Sequence, residues 1–489
     1  MSILNIYYFM GYKKYIFKTK PYDHQQKALE ESFDKPYYGL FMEMGTGKTK
    51  VLLDTVGILH HNHKIEGVLI IAPKSVYTVW VKNEIPTHYP FVEESDIVSW
   101  SNANTIKNRL AQERLFNRNG KFKIFVMNVE ALSRGSGFAT AKEFLNKFKC
   151  LMAIDESSKI KNPGADRTKN ILKLKDLAPY RRILTGTPVT NSPLDVYTQL
   201  EFLDKSILGH SSYYTFRNRY CVFHESIING KIVKFPKYFT NLKELEEKVK
   251  THSFRVTKEE CLDLPEKIYQ QRFCELGKKQ KKVYEDLKIH ALAILEDDSI
   301  SFQNKLTEIL RLHQVANGFV MTDNGDIEEF DDSEKIKLLL ETLDETQGKV
   351  IVWACYTHNI RKIADALRST YGTDSTVTFY GGDSNESRTE SRESFQKNPK
   401  TRFFVGNTAS GGMGLTLTSS HTMIYFNNNY SYEQREQSEA RIHRISQKFK
   451  CTYIDLVCRD TIDEKVISIL KDKIKLSAKI LGEKAREWL

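Results

Sequence analysis

The residues that most clearly predict chemistry form a glycine-containing turn near the start of the chain. An apolar run, Tyr38 to Met42, leads into the turn, and a helical pattern, Val51 to Leu59, follows it. The turn itself reads Glu43-Met44-Gly45-Thr46-Gly47-Lys48-Thr49. Between a strand and a helix, such a turn surrounds a phosphate with backbone N–H groups, while Lys48 reaches the terminal phosphates and Thr49 ligates Mg²⁺. The strict motif has a glycine at position 42, so the match is incomplete, but a triphosphate site is predicted.

A pair of acids, Asp155-Glu156, follows a second apolar run, Leu151 to Ile154. The first carboxylate is suited to hold Mg²⁺, and the second is suited to orient and deprotonate an attacking water. Because no site for a phosphate acceptor other than water is visible, the two motifs together predict hydrolysis of a nucleoside triphosphate rather than transfer to another substrate.

Two arginines in the last part of the chain are candidates to stabilise the transferred phosphate. Arg441 and Arg444 are three residues apart, which on a helix would place both on one face. Such a pair is more often a solvated face, but it follows the last predicted strands, and arginines of this role are often supplied by a separate structural unit. We therefore predict that Arg441 and Arg444 act on nucleotide held by Lys48.

Short apolar runs alternate with longer amphipathic segments, the pattern of an α/β protein with buried parallel strands. They form two series, which predict two similar lobes. The first series is Tyr38 to Met42, Gly67 to Ala72, Lys123 to Met127, Cys150 to Ile154 and Arg181 to Leu184. The second is Lys349 to Ala354, Thr376 to Tyr380, Arg402 to Val405, Thr422 to Phe426 and Thr452 to Val457.

The region between the two series, roughly 205–345, is predicted to be mostly helical, since apolar residues recur there at three- and four-residue spacing. Near its end, Asp323 to Glu334 is acidic and is predicted to be a solvated loop. At the C-terminus, Val466, Leu470, Ile474 and Leu481 share a helical face, which predicts a packed brace helix.

Composition limits the class of protein. The chain has 489 residues, enough for two to four domains, and a formal charge of +11, which suits a polyanionic partner. Its seven cysteines include no C-x-x-C pair, so no zinc site is predicted. The N-terminus has the wrong polarity for a secretory signal, and no apolar run reaches the roughly 18 residues of a membrane span. We expect a soluble protein of a bacterial or phage-infected cytoplasm.

In order along the chain, these residues resemble the motifs of the Swi/Snf-type ATPases of helicase superfamily two, including compact phage and bacterial members. The matching segments before residue 200 are Pro21 to Gln25, Met42 to Thr49, Ile71 to Val76 with Trp80, Asp155 to Asn162, and Leu184 to Pro188 with Asn191. The later ones are Leu264 to Lys267 with Gln280 and Tyr284, Val350 to Ala354, Tyr380 to Gly382 with Arg388 and Phe395, Thr408 to Leu415, Gln437 to Gln447, and Thr461 to Lys465.

The resemblance implies two RecA-like lobes with ATP and Mg²⁺ in the cleft between them. The implied segments are an N-terminal extension (1–20), lobe 1 (21–205), a helical insertion (206–262), lobe 2 (263–464, with an insertion at about 275–330) and the brace helix (465–489). Besides Gly45 to Thr49, it implies nucleotide contacts by Gln25, Gly414 and Gln437, and it keeps Thr49 and Asp155 as metal ligands. The implied nucleic-acid contacts are Lys74, Ser75, Thr187, Gly381, Thr408 and Ser410.

Departures from the family pattern matter for mechanism. Ser157-Ser158 stands where the family usually has Ala-His. In the family, that histidine is expected to connect the state of the bound ATP to the next motif, and this chain lacks it. Thr46, Thr190 and Ser446 replace a usual Leu, Gln and Gly. No accessory chromatin-binding segment is recognisable, so a nucleosome-directed role has little support.

The leading functional hypothesis is an ATP-driven translocase, expected to be a monomer, that moves on duplex or branched DNA and remodels forks or junctions in repair, recombination or replication. Two alternatives stay open: an RNA or single-strand helicase, and a nucleic-acid-binding scaffold with weak ATPase activity. Polarity, strand separation and the recruiting partner are not encoded in any recognisable motif.

Overall fold

The computed structural model describes residues 6–7, 14–74, 76–228, 231–296, 302–322, 324–411 and 415–483. Cα packing divides the chain into two compact units. The first comprises 1–220, 240–263 and 476–484, and the second comprises 221–239, 264–475 and 485–489. The predicted boundary near residue 263 therefore lies where the packing changes, whereas the segments 221–239 and 476–484 cluster across that boundary.

The first unit is built on a seven-stranded sheet in which neighbouring strands run parallel. In spatial order its strands are Ser253–Val256, Tyr37–Met42, Tyr180–Leu184, Cys150–Asp155, Gly67–Ala72, Phe122–Asn128 and Ser95–Ser99. The inner strand Gly67–Ala72 is buried along its whole length, as expected where helices cover both faces of a parallel sheet. Because the strands are parallel, the residues that follow them gather at one edge, where ligands bind in such folds.

The second unit repeats this plan with a six-stranded parallel sheet. In spatial order its strands are Lys267–Cys274, Cys451–Cys458, Thr422–Tyr425, Val350–Trp353, Phe403–Gly406 and Thr376–Phe379. The predicted α/β class, with one parallel-sheet lobe from each strand series, is confirmed. Three two-stranded antiparallel pairs complete the strands: Ile6–Tyr7 with Tyr15–Ile16, Cys221–Ile228 with Lys231–Phe239, and Phe319–Met321 with Ile327–Glu329.

Helices connect the strands and cover the sheets. Those of residues 14–263 are Asp23–Ser32, Lys48–His61, Tyr77–Val79 with a π-helical turn Trp80–Glu84, Ile85–His88, Ile106–Phe116, Gly135–Lys147, Asp166–Leu174, Tyr197–Leu203, Lys205–Leu208, Tyr213–Tyr220, Leu242–Thr251 and Lys258–Cys261. The later ones are Lys278–Glu296, Phe302–Ala316, Glu334–Asp344, Thr357–Tyr371, Asn385–Lys397, Thr408–Gly411, Tyr432–Glu439 and Ile462–Leu481.

The apolar runs predicted the central strands to within one or two residues, but three edge strands were missed. These are Ser95–Ser99, Ser253–Val256 and Lys267–Cys274. Each is short or rich in polar residues, because an edge strand does not have to bury both faces. Their hydrogen bonds come from a neighbouring strand that is distant in sequence, and a local pattern does not reveal that neighbour.

The prediction that 205–345 is mostly helical is wrong for Cys221–Phe239, which forms a two-stranded antiparallel ribbon. Its two strands are rich in Ile, Val and Phe, and Asn229-Gly230 lies between them in sequence, a pairing typical of hairpins. The acidic segment is also more ordered than a simple loop, because Ile327–Glu329 pairs with Phe319–Met321. Asp323 lies outside the described residues.

The C-terminal helix begins at Ile462, earlier than predicted, and Val466, Leu470 and Ile474 are buried along it. Within the part of the chain that the structure describes, no helix is both long and apolar enough to cross a membrane.

Candidate functional site

The glycine turn follows strand Tyr37–Met42 and ends where helix Lys48–His61 begins. Gly45 and Gly47 have φ of 82° and 95°, a left-handed conformation that residues with a Cβ rarely adopt. A Cβ at Gly47 would also lie 2.1 Å from Nε2 of Gln25. Gln25 donates that N–H to the Thr46 carbonyl at 3.0 Å. Gln25, predicted to contact the nucleotide, thus lies against the glycine turn.

Lys48 lies inside this turn, with its side chain folded towards the preceding strand. Its Nζ donates to the carbonyls of Met42 at 3.0 Å and Glu43 at 3.4 Å. Burial lowers the pKa of Lys48, an effect opposed by the carboxylates of Glu156 and Asp155. A triphosphate would offer the ammonium group stronger, charged acceptors than two carbonyls, so the site fits an anionic ligand. Thr49 is the next residue of the helix and is half-buried.

Asp155 and Glu156 lie directly after the inner strand Cys150–Asp155. Burial raises the pKa of Asp155, while a hydrogen bond from Trp80 and the charge of Lys48 oppose that rise. Glu156 has φ of 50°, so the backbone turns sharply between the two acids. The Thr185 hydroxyl donates to Oε2 of Glu156 at 3.3 Å. The two carboxylates are thereby held by different neighbours, which suits the separate roles of metal ligand and base predicted for them.

Trp80 supports Asp155 directly. It is 1% exposed, and its indole N–H donates to Oδ2 of Asp155 at 2.9 Å. Trp80 was assigned to a family motif from the sequence, but its hydrogen bond to the acid was not predicted. The partners are 75 positions apart, and only the adjacency of strands Gly67–Ala72 and Cys150–Asp155 brings them together.

A second connection runs from the acids to the loop after strand Tyr180–Leu184. Ser157, fully buried, donates to Oε1 of Gln199 at 2.7 Å. Gln199 in turn donates to the carbonyl of Pro188 at 2.8 Å. Thus a serine at the position where the family has alanine joins the acid motif to the next motif. Thr187, predicted to contact nucleic acid, is 7% exposed in this loop.

Strand Ser253–Val256 and helix Lys258–Cys261 return to the first sheet and flank the glycine turn. Arg255 donates to the Phe41 carbonyl at 2.8 Å and the Gly186 carbonyl at 3.1 Å, and the Lys258 backbone N–H donates to Glu43 at 2.8 Å. A cavity of about 580 Å³ lies here, lined by Tyr22, Asp23, His24, Lys27, Phe254, Arg255, Val256, Glu260 and Cys261. Its size suits a nucleoside. No sequence signal assigned this segment to the nucleotide site, because strand Ser253–Val256 was not predicted.

A second cavity, of about 500 Å³, lies at the carboxyl ends of strands Gly67–Ala72 and Phe122–Asn128. Lys74 lines it together with Tyr77, Trp100, Asn128 and Arg134. Lys74 was predicted to contact nucleic acid, and the other four residues, which come from separate segments of the chain, were not singled out from the sequence. Ser75 lies outside the described residues.

In the second unit, the predicted nucleic-acid contacts differ in exposure. Gly381 is exposed, and Ser410 is half-buried. Thr408 is 7% exposed and its hydroxyl donates to Gln434 at 3.3 Å. Gln437, a predicted nucleotide contact, donates to Glu433 at 3.2 Å, and Gly414 lies outside the described residues.

The prediction that Arg441 and Arg444 share a helix face is wrong, because helix Tyr432–Glu439 ends before both of them. At this point the Arg441 N–H donates to the Ser438 carbonyl, three residues back, at 3.1 Å, which makes a tighter turn than an α-helix. Both guanidinium groups nevertheless reach one acceptor, the Leu415 carbonyl, each at 3.3 Å. The arginines are therefore held together by a loop contact rather than by helical spacing.

No group of three or more His, Cys, Asp or Glu side chains suited to a metal occurs among the described residues. The donors that fit Mg²⁺ are instead the Thr49 hydroxyl and the Asp155 carboxylate, which need a nucleotide phosphate and water to complete the coordination.

Two protein-family models match successive parts of the chain. The SNF2-related domain family matches residues 38–319, and the helicase conserved C-terminal domain family matches residues 334–446. An uncharacterized ATP-dependent helicase of Mycoplasma genitalium is 26% identical over 467 residues, which are 94% of this chain and 41% of that protein. The DNA repair and recombination protein RDH54 of Saccharomyces cerevisiae is 29% identical over 360 residues, 68% of this chain and 36% of that protein.

Among solved structures, the Sulfolobus solfataricus SWI2/SNF2 ATPase core in complex with dsDNA aligns with a TM-score of 0.43 and 23% identity, over 95% of this chain and 94% of that one. The chain spans about two fifths of the length of the curated relatives that match it over most of its own length. Since the SNF2-related domain match alone covers more than half of the sequence, the chain belongs to the SNF2-related family, the Swi/Snf-type ATPases of helicase superfamily two.

Proposed function

We propose that the chain hydrolyses ATP and uses the energy to move along DNA, with forks or junctions as the structures it remodels. The observation that carries the proposal is the buried contact set of the first unit. There Lys48 lies in a glycine turn, and the acids that act on its pKa, Asp155 and Glu156, are each held by a hydrogen-bond donor. Family membership and the name of the yeast relative, a DNA repair and recombination protein, support DNA as the track.

In the proposed reaction, the glycine turn binds the phosphates and Lys48 exchanges its two carbonyl acceptors for phosphate oxygens. Thr49 and Asp155 would hold Mg²⁺, which supplies positive charge against the phosphates when bound. Glu156, oriented by Thr185, accepts the proton of the attacking water. Arg441 and Arg444 would stabilise charge on the transferred phosphoryl group.

The DNA contact that we propose for the first unit is the surface around Lys74, Asn128 and Arg134, which the structure places on one cavity. A lysine, an arginine and an amide contact phosphates without reading sequence. Binding there should accordingly weaken as salt concentration rises, because each neutralised phosphate releases counterions.

The experiment that tests the proposal is the ATPase rate of the purified chain with duplex DNA, forked DNA, single-stranded DNA or RNA of equal length. We expect the greatest stimulation with duplex or forked DNA. Greater stimulation by RNA than by duplex would contradict the DNA assignment, and no stimulation by any nucleic acid would indicate a binding scaffold.

The variant that tests the phosphate site is Lys48→Ala, which should abolish hydrolysis with every nucleic acid. Lys121→Ala, at an exposed lysine of the same unit, should leave the rates unchanged. Normal turnover by Lys48→Ala would remove the phosphate-site assignment.

A further inference from the structure

The antiparallel ribbon Cys221–Phe239 is an element that neither the family motifs nor the proposed ATP site uses. Its strands pair from Lys231 opposite Ile228 to Phe239 opposite Cys221. At about 3.3 Å per residue, a strand of this length extends roughly 25–30 Å. A two-stranded ribbon cannot bury both of its faces, so some of its side chains remain available to a ligand, although Cys221 is buried and Phe235 is half-buried.

Apolar and aromatic side chains on the ribbon are exposed to an unusual degree. Ile232 is 64% exposed and Tyr238 is 53% exposed. Phe235 stacks on His224 across the strands, with ring centroids 5.5 Å apart and planes 26° apart. Flat rings presented in this way offer stacking surfaces, and stacking on unpaired bases tolerates any base because every base has a π-face.

Positive charge is interleaved with these rings. In sequence the ribbon carries three lysines and one glutamate. The glutamate, Glu225, is paired with Lys234 at 2.7 Å, and both side chains remain about half exposed. Lys237 is exposed at a bulge, where the register passes from Pro236 to Tyr238. A bulge turns side chains out of the regular alternation. Lys237 and Tyr238 therefore present an ammonium group and an aromatic ring side by side.

Other occupants fit the ribbon less well. Lysine and proline on an open strand edge discourage the addition of another protein strand, and the ribbon has both. The described strands also contain no Arg, Asn or Gln, three of the side chains that commonly read base edges in the major groove of a duplex. Rings with lysines between them match a chain of unpaired bases joined by phosphates.

We propose that the ribbon Cys221–Phe239 is a binding surface for single-stranded DNA, holding it through base stacking on Phe235 and Tyr238 and phosphate contact by Lys237. The proposal rests on the proposed function in that the strand would be an unpaired arm of a branched DNA. It gives the protein a means to distinguish a fork from a plain duplex.

The test is fluorescence anisotropy of the full chain with labelled single-stranded, forked and duplex DNA of equal length. Tyr238→Ala combined with Lys237→Glu should weaken single-strand and fork binding about tenfold. The same variant should change duplex binding less than about twofold, since the proposal places no duplex contact on the ribbon and distant charges are screened by salt. Unchanged single-strand binding, or an equal loss for duplex, would overturn the proposal.

Two control variants distinguish loss of the ring and the charge from a general loss of folding or of surface charge. Tyr238→Phe keeps the ring and should bind as wild type does, whereas Lys397→Glu, at a 77% exposed lysine elsewhere in the second unit, should have no effect. Irradiation with strands containing 5-iodouracil should attach them to Phe235 or Tyr238. Attachment only outside the ribbon would contradict the proposal.

The two proposals can fail separately. If DNA does not stimulate the ATPase but the ribbon variant loses single-strand binding, the translocase proposal fails and the ribbon stands. If DNA stimulates the ATPase and the variant binds every DNA as wild type does, only the ribbon proposal fails.

Discussion

At the scale of single residues, the hydrogen bond from Trp80 to Asp155 shows how a buried carboxylate can be kept ready for a cation. Desolvation alone favours the neutral acid, and an N–H donated to Oδ2 favours the charged form. An indole supplies that donor with no charge of its own, so it does not compete with Lys48 or with a bound cation for the carboxylate.

Replacing Trp80 with phenylalanine removes the donor and keeps most of the ring. We expect Trp80→Phe to raise the Mg²⁺ concentration at half-maximal ATPase rate about tenfold, as loss of a partner to a metal-binding carboxylate does. Calorimetry of nucleotide binding with and without Mg²⁺ should show a smaller Mg²⁺-dependent gain in affinity than in wild type.

Trp353→Phe is the control for this prediction. Trp353 is fully buried in the second unit, and its indole nitrogen finds no hydrogen-bond partner among the described residues. If both variants shift the Mg²⁺ dependence equally, the effect comes from packing and the hydrogen bond to Asp155 has no such role.

At the scale of elements, the link from Ser157 through Gln199 to Pro188 joins the strand end that carries the acids to the neighbouring loop. The family usually places a histidine next to this position. Here a buried serine and glutamine connect the same two segments, and Thr185 adds a separate contact to Glu156.

We predict that Ser157→Ala keeps basal ATP hydrolysis but reduces its stimulation by DNA about fivefold or more, the size of a typical coupling between sites. The variant would lose the hydrogen bond from Ser157 to Gln199 but would keep the hydrogen bond from Thr185 to Glu156. Rates with and without duplex DNA measure the effect. Ser32→Ala, at a buried serine that donates only to a helix carbonyl, is the control, and equal loss in both variants would contradict the coupling.

The limits of sequence reasoning are also clearest among the elements. The strands Gly67–Ala72 and Cys150–Asp155 were predictable because each is an unbroken apolar run ending in a turn. The ribbon Cys221–Phe239 was read as helix because the flanking helices set the pattern of the whole segment. The Phe254–Arg255 side of the cavity near Tyr22 could not be predicted, because it depends on the parallel pairing of strand Ser253–Val256 with strand Tyr37–Met42.

A buried charge network fastens helix Tyr432–Glu439 to the second sheet. Glu439 accepts from Arg435 at 2.8 Å, from Lys267 at 3.2 Å and from the Tyr269 hydroxyl at 2.7 Å. Burial alone would raise the pKa of Glu439, but Lys267 and Arg435 hold it at about 2, below its usual 4.5. A lowered carboxyl pKa contributes stability above pH 4.5, and that contribution is lost as pH falls towards 2.

Glu439→Gln should therefore destabilise the protein on the order of 3 kcal/mol at neutral pH. The difference from wild type should shrink as pH falls from 4.5 towards 2, which thermal unfolding at several pH values would measure. Glu266→Gln, at an exposed glutamate paired with Lys450 at 2.9 Å, should change stability little. A difference that stays constant with pH would show that the network does not depend on the charge of Glu439.

At the scale of the whole molecule, the phosphate turn and the two arginines belong to different compact units. Under the proposed function, hydrolysis requires both sets of groups, and neither unit alone carries both. A chain of 489 residues with two such units can thus make its ATPase activity depend on the arrangement of its lobes, which is how nucleotide binding and movement on DNA would be coupled.

This reasoning predicts that Arg441→Ala and Arg444→Ala retain ATP binding but lose on the order of 10³-fold in turnover. Binding should persist because Lys48 and the glycine turn lie in the other unit. Nucleotide affinity is measured by calorimetry and turnover by phosphate release. Arg368→Ala, at a 37% exposed arginine of the second unit, should retain both. Normal hydrolysis by both variants would mean that the second unit supplies no arginine, and loss of ATP binding would mean that these side chains hold the nucleotide itself.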